Sequence, residues 1–175
     1  MGKTDVFALL SENLLDGEMS EKVKWVLASA SPRRAELMKR IVEPFEIREP
    51  HPDETLQKGS DVPEVLVVRN AVQKALSVAF PEQKERIVSA DTVVVCQEKI
   101  LGKPSSVEEI EEMIWFLQGK WHQVMTGVCL ARFPEGKIRS AVEITWVKFC
   151  AIDRAECRKY ARTLEGMDKA GGYAA

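Results

Sequence analysis

The chain has only two histidines, His51 and His122, and its four cysteines form no CxxC pair. That scarcity removes the nitrogen and sulfur ligands of a zinc or copper centre, so a bound metal is expected to be a hard cation, Mg2+ or Mn2+, on carboxylates and phosphate. Three of the four cysteines lie in apolar surroundings and read as reduced core residues. No apolar run approaches the roughly 20 residues of a membrane span. A soluble, cytoplasmic protein with no membrane partner is the expectation. A formal charge of −2 offers no basic face for long nucleic acid, so any anion site must be local. The absence of G-x-x-x-x-G-K-[ST] excludes a P-loop kinase or GTPase.

No internal repeat or low-complexity tract interrupts the 175 residues, a length that suits one domain or one domain in two lobes. Residues 1–22 contain "DVFALLSENLL", which suits one amphipathic helix but lacks the basic start and small-residue cleavage site of a signal peptide. They read as an N-terminal extension, with the folded unit spanning residues 23–175.

Strands and helices follow one another in mixed order. Val23 to Ala28 is an apolar strand, and Leu37, Met38 and Ile41 suit one face of the helix after it. "FEIRE" alternates like a short strand, and Val62 to Phe80 is a helix opened by Pro63 and stopped by Pro81. "RIVSADTVVVCQ" reads as a central strand. A capping-box pattern at Ser106 and Glu109 starts a helix with Ile110, Met113, Ile114 and Leu117 inward and Gly119 at its end. Two long strands joined by "PEGK" predict an antiparallel pair, in which Thr126 and Gly127 are open to reading as a simple bend. Asp153 caps a last helix with the stripe Cys157, Tyr160, Ala161 and Leu164. An α/β fold on a mixed, twisted sheet with flanking helices is the prediction.

Chemistry concentrates in "LASASPRRAEL", Leu27 to Leu37, where a strand ends and a helix begins. Ser31 suits the N-cap and Pro32 the first turn, whose unpaired N–H groups attract anions. Arg33 and Arg34 add two permanent charges with bidentate reach for phosphate oxygens. Two arginines early in a helix also oppose its dipole, which leaves a solvated surface as the alternative. Lys74, in an otherwise apolar helix, must find an anionic partner or reach solvent, and Asp91 interrupts an apolar strand where an unpaired acid is costly. Lys103 before Pro104 and Glu54 in the polar loop are equally open to reading as surface. Hydrogen bonding, rather than metal ligation, is the expected role of His122.

Taken in order, "SASPRR", "PDE", "SADT", "LGKP", "LQGKWHQVMTG" and "DKAGGY" resemble the Maf family of nucleoside triphosphate pyrophosphatases, over about Val23 to Tyr173. The resemblance implies a Maf/ITPase-like fold, two lobes around a cleft, hydrolysing a nucleoside triphosphate to the monophosphate and pyrophosphate with a divalent cation. It leaves room for a homodimer. Attack by water on an α-phosphorus needs the triphosphate charge neutralised, the water activated and the leaving pyrophosphate stabilised. Arg33, Arg34, Lys74 and Lys103 are the candidate cations, and Ser29 and Ser31 the candidate hydrogen-bond donors to phosphate. By the resemblance, Glu54 and Asp91 are metal-site carboxylates and Asp91 is also the general base.

Arg33 and Thr92 match the branch acting on dTTP and UTP. That branch carries a glutamine after "AGGY", where this sequence reads "AGGYAA", so broad and weak activity is the expectation. The alternative is a catalytically weak nucleotide-binding or interaction module derived from the same family.

Overall fold

The computed structural model describes residues 23–51 and 62–174. Glu54 and the "DVFALLSENLL" stretch lie outside the described residues. In chain order the elements are β1 (Lys24–Ala28), α1 (Pro32–Lys39), β2 (Glu46–Arg48), α2 (Pro63–Ser77), β3 (Glu85–Cys96), β4 (Lys99–Leu101), α3 (Val107–Leu117), β5 (Trp121–Phe133), β6 (Lys137–Lys148) and α4 (Arg154–Ala161). A 3-10 turn follows at Ala170–Gly172. The strands form one sheet in the order β2-β1-β3-β5-β6, with β4 on β3.

The sheet is mixed, as the sequence predicts. β1 pairs in parallel with β2 and with β3, and β3 pairs antiparallel with β4. The β3–β4 connection is the two residues Gln97 and Glu98, both left-handed at φ 49° and 65°, the backbone of a tight hairpin turn. Pro134–Gly136 joins the neighbouring strands β5 and β6, a link too short for a parallel crossover, and Gly136 takes φ 64°. No helix among the described residues is long and apolar enough to cross a membrane.

Two compact units divide the chain at Asp91/Thr92, Met125/Thr126 and Glu143/Ile144. In the first unit, β1 alternates in two directions. Val26 and Ala28 pack with Ile87, Cys129 and Ala131 against Ala71, Ala75 and Val78 of the α2 segment. Trp25 and Leu27 pack with Val88 and Leu130 against Met38 of α1. The period-2 strand therefore seats α2 on one sheet face and α1 on the other. Of the apolar α1 residues only Met38 is buried, and Leu37 is more than half exposed, so the inward stripe is narrower than its spacing suggests.

In the second unit, Ile110, Met113, Ile114 and Leu117 of α3 pack with Cys157 and Ala161 of α4, Val94 and Cys96 of β3, Leu101 and Tyr173. The Ser106 hydroxyl caps the Glu109 N–H, while the Glu109 carboxylate takes the Ser105 amide and hydroxyl instead of closing a full capping box. Asp153 and Glu156 do close one at α4. Leu164 falls beyond the end of α4, exposed at φ 62°, so the predicted stripe stops at Ala161. Cys96, Cys129 and Cys157 are buried, Cys150 is exposed, and all four are free thiols.

Candidate active site

β1 is a branch point: the chain leaves it through α1 to β2 on one side and returns through α2 to β3 on the other. In parallel sheets, ligands bind outside the carboxyl ends of strands at such a reversal of direction. Ala28, the last residue of β1, pairs with Ser89, so the Ser29–Ser31 loop emerges beside Ala90 and Asp91. Arg34, Lys74 and Asp91 meet there.

Ser29 is only 4% exposed, and its hydroxyl accepts the Ser31 N–H at 3.2 Å. Ser31 stands at the N-cap in extended conformation, yet its own side chain caps nothing. The first-turn N–H groups of α1 are therefore left without a side-chain cap, and no acid stands in that turn. Arg34 reaches back to the sheet, donating from Nη1 to the Ala90 carbonyl at 2.8 Å. Burial lowers its pKa, Asp91 pulls it up and Arg33 pushes it down. A guanidinium still keeps its charge. Arg33 is exposed on the same turn.

Asp91 lies two residues after Ser89 and four after Ile87, on the face that meets α2. Ser89 donates to the Ala71 carbonyl at 2.6 Å, tying β3 to the helix. Lys74, one turn further along α2, donates to Asp91 Oδ1 and reaches the Ala90 carbonyl at 3.5 Å. Its side chain is 22% exposed and that of Asp91 16%, so the pair is shielded from bulk water without being sealed from a ligand. Asn70, a turn before Lys74, donates from Nδ2 to Asp91 Oδ2 at 2.9 Å. Both carboxylate oxygens are thus held from one helix face at i and i+4.

Ser29, Ser31, Arg34, Lys74 and Asp91 accordingly come together at one end of β1 and β3. Thr92 follows Asp91 on β3 and begins the second unit, where Lys103 is exposed on the loop after β4. His122 belongs to a different setting in that unit. It is 1% exposed, its Nε2 lies 2.7 Å from the Tyr173 hydroxyl, and its ring meets Phe149 and Tyr173 edge to face. That aromatic cluster agrees with hydrogen bonding as its role.

Two residues of this region escape sequence reasoning. Asn70 carries a visible signal, its place one turn before Lys74 in an apolar helix. Gly127, left open as a strand bend, lies in β5 against the backbone of α2 and permits the helix to approach.

Comparison with known proteins places these features in a lineage. Residues 24–175 match the family model described as Maf-like protein. A dTTP/UTP pyrophosphatase of Ruminiclostridium cellulolyticum is 40% identical over 150 residues, covering 86% of this chain and 78% of that protein. One from Gloeobacter violaceus is 43% identical over 152 residues, covering 87% and 78%. Among solved structures, the Ham1 protein of Staphylococcus aureus superposes with a TM-score of 0.50 at 14% identity over 71% of each chain, a likeness of fold alone.

Proposed function

Because the chain belongs to the Maf family, we propose that it is a nucleoside triphosphate pyrophosphatase that hydrolyses dTTP and UTP to the monophosphate and pyrophosphate. The names of its relatives support the substrates. The observation that carries the reading is the Asp91 carboxylate, held by Lys74 and Asn70 beside the uncapped first turn of α1.

Each part has a task in attack on the α-phosphorus. Ser29, Ser31, the first turn of α1, Arg33 and Arg34 receive phosphate oxygens, and Arg34, anchored on Ala90, brings a fixed positive charge. Lys74 holds Asp91 in place and stabilises charge that develops on the phosphoryl oxygens. Asp91 is the general base that takes a proton from the attacking water. Lys103 balances charge on the leaving pyrophosphate, and Thr92 contributes to substrate choice.

A divalent cation fits this donor set. The Asp91 carboxylate and the Ser29 hydroxyl are hard oxygen donors, and no group of three His, Cys, Asp or Glu among the described residues suggests a softer or self-contained metal site. Asp91 and Glu54 would hold Mg2+ or Mn2+ together with the substrate phosphates, and the cation supplies neutralisation of triphosphate charge. The cytoplasm, where nucleoside triphosphates are made and used, is the matching compartment.

Incubation with dTTP, UTP, CTP and GTP in Mg2+ tests the reading. Release of pyrophosphate and monophosphate, fastest from dTTP and UTP, is the expected result. Release of orthophosphate, or of nothing, overturns it.

A further inference from the structure

Asn70 holds Asp91 in the scheme above, but its own amide oxygen has no role there. Its amide has a forced orientation. An ionised carboxylate only accepts hydrogen bonds, so the NH2 end must face Asp91 Oδ2 and the carbonyl end must turn away. That carbonyl oxygen, Asn70 Oδ1, is buried and meets no donor among the described residues. Buried acceptors without a donor are rare in folded proteins and call for a cause. Packing supplies none, because α2 buries Val67, Ala71 and Ala75 as an apolar face on which a leucine would leave no orphan atom.

We propose that Asn70 is a catalytic residue: Nδ2 fixes the Asp91 carboxylate, and Oδ1 is the second acceptor for the water that Asp91 deprotonates. This rests on the pyrophosphatase reading. A water molecule has two protons to donate. One goes to a lone pair that Lys74 and Asn70 leave open on Asp91, and the other to Asn70 Oδ1, which turns an oxygen lone pair towards the α-phosphorus. In the reaction the water oxygen bonds to that phosphorus, and Asp91 takes the first proton. The bond from phosphorus to the bridging oxygen breaks, its electron pair leaving with pyrophosphate. The proton on Asn70 stays with the new oxygen of the monophosphate.

Steady-state kinetics of Asn70→Leu with dTTP test this, alongside thermal unfolding. The expected result is a kcat lower by about tenfold or more with KM within about twofold, the mark of an interaction made in the transition state. The melting temperature should be unchanged or raised, since the orphan acceptor is gone. A merely structural role predicts a lowered melting temperature with KM raised alongside. A crystal of the unaltered chain with an α,β-methylene analogue of dTTP gives a reading that needs no variant: a water within about 3.2 Å of both Asn70 Oδ1 and an Asp91 oxygen. An active wild type matched by Asn70→Leu within about threefold overturns this inference alone, as does an analogue complex with no water on Oδ1. A wild type that releases no pyrophosphate overturns the pyrophosphatase reading and this inference with it.

Discussion

Gly127 and Val67 stand backbone to backbone: a Cβ on Gly127 would lie 2.4 Å from the Val67 carbonyl carbon and 2.5 Å from its oxygen. A strand residue with any side chain would push α2 outward, and α2 carries both Asn70 and Lys74. Gly127→Ala is therefore expected to destabilise the fold by about 1–3 kcal/mol, the usual cost of overpacking. Turnover should fall further than stability accounts for, because a displacement of about 1 Å at a reacting group costs on the order of 10²-fold. Urea unfolding and pyrophosphate release, measured on the same preparation, check both parts.

Lys74 binds one oxygen of Asp91 from the same helix face as Asn70. Lys74→Met keeps the length of the side chain and removes the charge. A loss of about 10²-fold in kcat is expected, the scale for removing one stabilising group from a charged transition state. An assay at saturating dTTP decides, and near-normal turnover would return Lys74 to a structural role.

At the far end of α2 a buried charge holds the helix to the sheet. The Glu85 carboxylate, 1% exposed, takes Arg48 Nη1 at 3.0 Å, and the same nitrogen donates to the Val78 carbonyl at 2.9 Å. Arg48 also stacks on Phe80, 4.5 Å from the ring centroid. Arg48→Met strands Glu85 without its counter-ion, for which about 3–5 kcal/mol of destabilisation is expected. Adding Glu85→Leu should recover much of the loss. Denaturant midpoints of the single and double variants give the comparison.

Acid should weaken the second unit through His122. Burial lowers its pKa from the usual 6.5, outweighing the Lys120 backbone acceptor that pulls the other way. Below pH 6.5 the unfolded chain binds a proton that the folded chain refuses. Stability is therefore fully present above that pH and is lost as pH falls towards the depressed value. Urea midpoints between about pH 5 and 7 should fall with acid in the wild type and fall less in His122→Gln.

The sequence carries much of this architecture in its periodicities. β5 and β6 are the two long strands expected on either side of "PEGK", and α2 and β3 differ from expectation only at their ends. Lys74 and Asp91 were legible because a charge in an apolar element needs a partner, and each proved to be the other's. Gly127 was opaque for a physical reason. A glycine in a strand means the same in sequence whether it bends the strand or admits a helix, and only the position of Val67 separates the two. Ser31 was legible as an N-cap by position but not in its contacts, since its side chain caps nothing and its amide closes a local turn onto the Ser29 hydroxyl two residues back.

Hydrolysis of dTTP in water enriched in 18O identifies the phosphorus that water attacks. Attack on the α-phosphorus places the label in dTMP and leaves pyrophosphate unlabelled, which is the predicted result. Label in pyrophosphate would mean attack on the β-phosphorus, and label in orthophosphate attack on the γ-phosphorus. Either would contradict the role proposed for Asp91 at the carboxyl ends of β1 and β3.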